Sequence, residues 1–448
     1  MRREGVKHIY FLGIGGIGMS ALARYYKSLG MEVSGYDLTP SPLTKQLEHE
    51  GMAIHYEDNP QLLPALIDAV IYTPAVPKDL KELVELKRRG IPMKKRSEAL
   101  GEISRKYFTI AVAGTHGKTT TTAMVAHILK ENGIDMTAFI GGIANNFGSN
   151  LHLGVTDEPV LVVEADEYDR SFLQLKPAIS IINSIDEDHL DIYGDKAHLV
   201  SSFNEFARLT RECLISREQL PVENPSLTHF RFGFGDGNDY QAVNIRQQEG
   251  ETDFDILHQE ARFPIHLKMA GTHNVLNATA AFIATRELGL DEEGIAQALS
   301  TFTGVKRRFD LRVKNERHCY IDDYAHHPEE IKSCLSAIRA SFPNKKLTLV
   351  FQPHLFTRTR DFMEDFASAL AMADDLILLD IYPAREKPIE GISSQVLLDK
   401  TPLRSKCLCK KENLLDAIAQ RKPALLVTMG AGDIDRFVEP LQEMIRQW

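Results

Sequence analysis

The sequence predicts an α/β protein made of three consecutive α/β domains. Three observations carry that expectation. The length of 448 residues sets a prior of about three domains, at roughly 150 residues each. Short apolar runs alternate with helical stretches, which is the rhythm of parallel sheets covered by helices. That rhythm begins three times, at HIYFLG, at TIAVAG and after GVKRRFD.

The first beginning reads strand (HIYFLG), glycine turn, helix (GMSALARYYKSLG) and strand (EVSGYD), with a further apolar run, AVIYTPAV, at 69–76. Gly13, Gly15 and Gly18 fit G-x-G-x-x-G around Gly16, and Asp37 closes the next strand 24 residues after Gly13. The first glycine permits the tight turn, the second lets backbone approach a diphosphate, and the third packs helix on strand. The free N–H groups and dipole of a helix N-terminus favour an anion there. An NAD-type dinucleotide is the default ligand of such a turn. Nothing in the motif separates it from another nucleoside diphosphate, such as a UDP-sugar.

The pattern restarts near residue 103. TIAVAG (109–114) reads as a strand and KTTTTAMVAHILKENG as a helix ending at Gly133. Between them lie Gly114, Thr115, His116, Gly117, Lys118, Thr119 and Thr120. The strict P-loop pattern fails, because Val112 holds the first glycine slot, yet the chemistry survives. Backbone N–H groups can cradle phosphate, Lys118 can reach the outer phosphates, and the Thr119 hydroxyl can join a Mg²⁺ shell.

Two further strands, LVVEAD and AISIIN, bring acids to the same rim: Glu164, Asp166, Glu167 and Asp169, then Asp186, Asp188, His189 and Asp191. Most of these are expected to be solvated loop charges. Glu164 is the exception, since an acid directly ending an apolar strand is costly unless it is paired or on metal. His189 reads as an outer-shell or second-metal group. Residues 216–265 read as β-rich or irregular, and NVLNATAAFIATRELG (274–289) as a helix.

After residue 305 the strands CYIDDYA, KLTLVFQ, DLILLD and ALLVTMG alternate with helices such as PEEIKSCLSAIRA and DFMEDFASALAMA. The expected domains are therefore 1–103, 104–305 and 306–448. His326 and His327 lack H-E-x-x-H spacing, which argues against zinc. FQPHLFTRTR sets His354, Arg358 and Arg360 after a strand, where guanidinium forks suit a carboxylate.

Composition excludes other classes. A net charge of −10 weighs against a nucleic-acid partner. No apolar run reaches the roughly 18–20 residues that span a bilayer, so no membrane insertion is expected. The charged N-terminus before HIYFLGIGG resembles a secretory signal, but the apolar stretch is short, glycine-broken and without a small-residue cleavage site. Five scattered cysteines point to reduced thiols and a cytoplasmic protein.

GIGGIGMSALA, AGTHGKTTTTAM, VVEADEYDRSFL, NSIDEDHLDIY, AGTHNVLNATAA, GVKRRFD, DDYAHHPEEI and FQPHLFTRTRDF follow one another over nearly the whole chain. In this order they resemble the Mur ligases, the ATP-dependent amino-acid ligases of peptidoglycan precursor synthesis. The resemblance implies a Rossmann-like N-terminal domain for the UDP part of a sugar substrate. It implies a P-loop ATPase-like central domain for ATP and a Rossmann-like C-terminal domain for the amino acid. The two turns then serve two nucleotides, and neither requires NAD.

Carried over by position, Gly13, Gly15, Gly16, Gly18 and Asp37 would hold the UDP-sugar. Gly114 to Thr120 would hold ATP, with Lys118 on the β/γ phosphates and Thr119 and Glu164 on Mg²⁺. His189 matches a histidine near a second magnesium. His273, Asn274 and Asn277 match residues that hold adenine and order the ATP site; a helix cap is the plain alternative for Asn274. Arg308 matches a hinge arginine that reaches phosphate, and Asp323 an acid that orients ribose and hinge. His327, His354, Arg358 and Arg360 would receive the amino acid.

Two departures qualify the match. Leu355 stands where some relatives have a basic residue. AHLVSSFNEFARLT (197–210) lacks the lysine that several Mur ligases carbamylate.

The chain is most similar to the alanine-adding branch, which implies UDP-N-acetylmuramate and L-alanine as small-molecule substrates and a monomer or dimer. The expected route phosphorylates the lactyl carboxylate, with Lys118, Mg²⁺ and Arg308 neutralising charge. The amine then attacks the acyl phosphate after domain closure excludes water. His189 and Asp323 are the candidates for a general base. A muropeptide ligase adding a recycled tripeptide is the alternative. An NAD-dependent oxidoreductase would leave GTHGKTT, Glu164 and THNVLN idle.

Overall fold

His8–Leu12 is buried at every position and lies at the centre of the first sheet, where a strand with two apolar faces belongs. The computed structural model describes residues 7–186, 193, 195–384 and 386–448. The first sheet runs in the order Ala53–His55, Glu32–Tyr36, His8–Leu12, Ala69–Tyr72, Met93–Lys95, with every pairing parallel. Strand order reverses at His8–Leu12, so a crevice opens at its C-terminal end, where the glycine turn lies.

The second sheet has ten strands. Ile179–Ile182, Thr109–Ala113 and Val160–Glu164 are parallel neighbours in its middle, and their C-terminal ends form one rim. Met136–Ala144 and Ser149–His152 follow on one side. Cys213–Arg217, Thr228–Gly233, Tyr240–Gln248, Glu251–His258 and Ala261–Leu267 follow on the other, so the stretch 216–265 is β-rich. The six-stranded third sheet is ordered Asp310–Lys314, Cys319–Asp323, Leu425–Met429, Leu347–Phe351, Asp375–Leu378, Lys406–Leu408. Asp310–Lys314 alone is antiparallel there.

The chain gathers into two units, one of residues 1–242, 256–263 and 276–299, the other of residues 243–255, 264–275 and 300–448. In the first, one apolar core runs from Phe11, Leu22 and Tyr25 through Phe139 and Leu151 to Phe172 and Phe203. The rings of Tyr25 and Phe139 meet at 5.6 Å. Asn150, fully buried on the second sheet, donates to Ile17 O (2.6 Å) and Ser20 Oγ (2.9 Å) and accepts from Arg24 (2.5 Å). A buried amide needs such partners, and here they come from the helix Ile17–Ser28 that follows the first glycine turn.

In the second unit, separate cores cover the two faces of the third sheet, one around Leu349, Phe351 and Phe366, the other around Tyr320, Val350 and Leu426. The stretch expected to be one helix from Asp361 is broken at Phe362, which separates Phe356–Asp361 from Met363–Leu370. Among the described residues no helix is long and apolar enough to cross a membrane.

Candidate active site

The second glycine turn leaves the wholly buried strand Thr109–Ala113 and enters the helix Lys118–Glu131. Gly117 caps that helix at φ 81°, a left-handed conformation that disfavours side chains. A Cβ there would also stand 2.5 Å from Asn277 Oδ1 and 2.9 Å from Asn183 Nδ2, so both amides lie against the loop. Ser184 Oγ accepts from the N–H of His116 at 2.8 Å and pairs with Thr115 Oγ1 at 2.8 Å. Asn183 and Ser184 thus brace the loop from the neighbouring strand end. Thr119 and Thr120 are buried in the first helical turn. His116 Nε2 lies 3.7 Å from Asp186.

Lys118 Nζ donates to Gly114 O at 2.6 Å and to Glu167 Oε1 at 2.9 Å. Glu167 is 1% exposed, so it is no solvated loop acid. Asp166, half-buried, accepts from Arg96 at 2.8 Å, whereas Asp169 is exposed, as expected, and pairs with Lys95 at 3.0 Å on the surface. Both cations come from the start of the helix Arg96–Ser104. Asp169 (φ 52°) and Arg170 (φ 55°) are consecutive left-handed residues in the same loop, a strained geometry held by its surroundings.

Glu164 ends its strand opposite Val112 and accepts from the N–H of Gly141 at 3.0 Å. A Cβ on Gly141 would fall 2.1 Å from Glu164 Oε2, so the glycine makes room for the carboxylate. Thr119 and Glu164 offer oxygen donors suited to Mg²⁺, which takes few protein ligands and keeps water and phosphate oxygens. Among the described residues no group of three or more His, Cys, Asp or Glu side chains is gathered for a metal. His189, with Asp188 and Asp191, lies outside the described residues.

At the first turn, the N–H groups of Gly13 and Ile14 both donate to Tyr36 O, at 2.8 and 3.1 Å, which pins the turn to the next strand. Asp37 accepts the Gly15 N–H at 2.7 Å, so this acid ties the turn together. A Cβ on Gly15 would meet Thr44 Cγ2 at 2.6 Å and Asp37 Oδ2 at 2.8 Å. Gly16 is the N-cap residue of the following helix. Gly18, expected to pack against a strand, instead faces the Arg96 side chain.

The remaining candidates belong to the second unit. Asn274 Nδ2 donates to Ala270 O at 2.7 Å, and His273 Nδ1 lies 3.4 Å from Ser333 Oγ. Arg308 stacks on Tyr324 at 5.2 Å. Asp323 accepts from the backbone N–H groups of Phe309 (2.6 Å) and Ala325 (2.8 Å). It thereby fixes the turn in which Arg307 and Phe309 have φ of 64° and 48°. Burial pushes the Asp323 pKa up, against the pull of those amides and of Arg308.

His354 stacks on Tyr382 at 5.7 Å and faces His326 at 6.1 Å. Its Nδ1 is buried without a partner among the described residues. Burial, with His326 and Arg358 nearby, brings its pKa down to about 4, so the ring is neutral at neutral pH. Leu355, at the departure from the family pattern, has φ 73°, an outlier for a bulky residue and a sign of local strain. His327 is the N-cap residue of Pro328–Ser341, its ring 4.6 Å from Phe362. Arg358 is half-buried near His354, whereas Arg360 is exposed and paired with Asp361 at 2.7 Å.

Two glycine turns at the C-terminal ends of parallel strands in two sheets, one carrying a paired lysine beside a strand-end carboxylate, suit an enzyme of phosphoryl chemistry with two phosphate-bearing ligands. The chain matches the Mur ligase family catalytic domain over residues 8–108 and the Mur ligase middle domain over 112–285. It matches the Mur ligase glutamate ligase domain over residues 307–432. The chain belongs to the Mur ligase family.

Its relatives include a UDP-N-acetylmuramate–L-alanine ligase of Christiangramia forsetii, 48% identical over 98% of each chain. The protein of that name in Cytophaga hutchinsonii is 46% identical over 100% of this chain and 98% of its own. Among solved structures, the UDP-N-acetylmuramate-alanine ligase of Thermotoga maritima superposes with a TM-score of 0.86 at 30% identity, covering 98% of this chain and 99% of that one. A murein peptide ligase of Psychrobacter arcticus gives 0.70 at 25% identity, over 98% of each.

Proposed function

We propose that this chain is an ATP-dependent ligase that joins L-alanine to the lactyl carboxylate of UDP-N-acetylmuramate in peptidoglycan precursor synthesis. The observation that carries this reading is similarity along the entire chain to ligases of that name, at 46–48% identity. The peptide-adding alternative has weaker support, in a structure of lower similarity. An NAD-dependent oxidoreductase has none, since the first turn belongs to the family's own plan.

In this reading residues 1–103 hold the UDP-sugar, 104–305 hold ATP and 306–448 receive the amino acid. A free carboxylate is a poor acyl donor, because its charge repels nucleophiles and oxide does not leave. Phosphorylation by ATP removes both obstacles. Lys118 exchanges Glu167 for the outer phosphates and offsets the charge that develops there, with Arg308 as a second cation. Thr119 and Glu164 would hold Mg²⁺, which when bound supplies further charge neutralisation. Asn277 beside Gly117 and Ser184, which takes the His116 N–H, hold the shape of the loop around phosphate. His354, neutral and stacked on Tyr382, and Arg358 form the polar wall for L-alanine, the guanidinium taking its carboxylate. The five free thiols suit a cytoplasmic location.

The test is release of ADP and phosphate. It should require ATP, UDP-N-acetylmuramate and L-alanine together, with L-alanine preferred over tripeptide. Equal ADP release from ATP alone would overturn the ligase reading, and preference for tripeptide would select the alternative.

A further inference from the structure

Gly18 lacks a side chain for a reason that its motif does not state. A Cβ there would stand 2.9 Å from Arg96 Nη1 and 3.2 Å from Arg96 Cδ, so the glycine clears a place for the arginine at the first turn of the helix Ile17–Ser28. The other edge of the same guanidinium donates from Nη2 to Asp166 Oδ2 at 2.8 Å. Asp166 follows Glu164 by two residues and precedes Glu167, the partner of Lys118. One planar group therefore touches the anion-binding end of the first turn and the acid loop beside the second.

The geometry around Arg96 is fixed from both ends. It begins the helix Arg96–Ser104, and a Cβ on Gly101 in that helix would fall 2.5 Å from Gln174 O, so helix and acid loop are in close contact. Lys95 holds Asp169 of the same loop at 3.0 Å. Asp166 Oδ1 accepts the Tyr168 N–H at 3.1 Å, which leaves Oδ2 aimed at Arg96. Among the described residues Nη2 is the Arg96 nitrogen that donates to protein, and Nη1 stays at Gly18, in the first turn of the helix Ile17–Ser28. A bidentate fork can join two acceptors in this way; a lysine, as a point charge, cannot hold both edges.

We infer that Arg96 is a positioning residue that couples the two nucleotide sites, taking a diphosphate oxygen of the sugar nucleotide with Nη1 while holding the Glu164–Asp169 loop through Asp166. This rests on the proposed function, because it needs a nucleoside diphosphate at the first turn and ATP at the second. When diphosphate draws on Nη1, the guanidinium gains a second anion partner, and with it the hold on Asp166 and on the loop that presents Glu164 and Glu167 tightens. Occupancy of one site then raises affinity at the other, as linkage requires in both directions.

The test is calorimetric titration of UDP-N-acetylmuramate into the full chain, with and without a non-hydrolysable ATP analogue. In the wild type the analogue should tighten sugar-nucleotide binding at least about fivefold, the lower end of ordinary coupling. In R96K that ratio should fall to about one, and the dissociation constant for the sugar nucleotide alone should rise roughly tenfold, as for one lost charge-assisted contact. The analogue alone should bind R96K as it binds the wild type. D166N, which keeps the contact at Gly18, should lose the ratio while keeping the dissociation constant for the sugar nucleotide alone. A merely structural Arg96 would lower Tm in R96K and leave the ratio intact, which would overturn the inference. So would a wild-type ratio of one. Failure of the wild type to bind UDP-N-acetylmuramate at all would instead overturn the proposed function.

Discussion

Lys118 and Glu167 form a buried ion pair, with Nζ 2.9 Å from Oε1 and 2.8 Å from Oε2. Burial alone would lower the lysine pKa, but Glu167 and Glu164 outweigh it and hold the group above its ordinary value, hence charged. The carboxylate occupies the donors that phosphate would use.

Replacing Glu167 with glutamine leaves that charge with an amide and the carbonyls of Gly114 and Thr115. Removing one partner of a buried pair costs about 3–5 kcal/mol. At the low end, Tm should fall by about 3 °C for a chain of this size. ATP should restore more stability to Glu167→Gln than to the wild type, since its phosphates supply the missing negative charge. Calorimetric scans with and without ATP read both effects. An equal ATP-induced shift in the two proteins would show that Lys118 does not exchange one partner for the other.

Gly141→Ala addresses Glu164 without altering it. The new methyl would collide with the carboxylate, which must rotate away from its amide partner. The half-saturating Mg²⁺ concentration should rise about tenfold, as for one weakened charge-assisted contact. The Michaelis constant for L-alanine should stay put. A Mg²⁺ titration of ADP release measures this, and an unchanged requirement would remove Glu164 from the metal site.

At the first turn, Gly15→Ala places a methyl against Thr44 and Asp37. Relief requires moving the turn, so affinity for UDP-N-acetylmuramate should drop about tenfold or more, one decade per 1.4 kcal/mol. Binding of an ATP analogue should be unchanged within roughly twofold of wild type on the same scale. Comparable losses for both ligands would mean that the substitution unsettles the first unit as a whole.

The two arginines of FTRTR should separate. Arg358→Ala is expected to raise the Michaelis constant for L-alanine by roughly ten- to a hundredfold, the worth of one charge-assisted contact. Arg360 is exposed and spends its Nε on Asp361, so Arg360→Ala should change it less than about threefold, as surface pairs contribute little. Steady-state kinetics with L-alanine varied decides, and the reverse ranking would place the carboxylate at Arg360.

His354 sets a pH dependence. Its folded pKa of about 4 lies below the ordinary histidine value near 6.5. Between those values the unfolded chain binds a proton that the folded chain refuses. The contribution to stability is therefore complete above about pH 6.5 and is lost as pH falls toward 4. The His354 ring resonance should titrate near pH 4, and His354→Gln should flatten part of the fall in Tm over that window. A midpoint near 6.5 would show that the ring is solvated.

Much of this arrangement was legible in the residues. Glycine spacing between strand and helix located both turns, and an acid directly ending an apolar strand singled out Glu164. Glu167 was not legible, because its burial depends on a lysine 49 positions earlier, and nothing local distinguishes it from Asp169. Arg96 escaped for the same reason, with its acid 70 positions away. Asp37 was found by spacing, but its bond to Gly15 depends on how two strand ends lie side by side. The break at Phe362 was hidden because the helical pattern continues through it.

The core that runs unbroken from Phe11 to Phe203 makes the junction of the first two sheets a seam in chemistry and not in folding. Severing the chain there would bare Tyr25 on one fragment and Phe139 and Leu151 on the other, and would strand the amide of Asn150. The two sheets should therefore denature as one cooperative block, each needing the other's apolar face. Exchange of modules, an open route to new substrates where domains are autonomous, is closed at this seam. A borrowed first sheet would have to bring the matching half of the second.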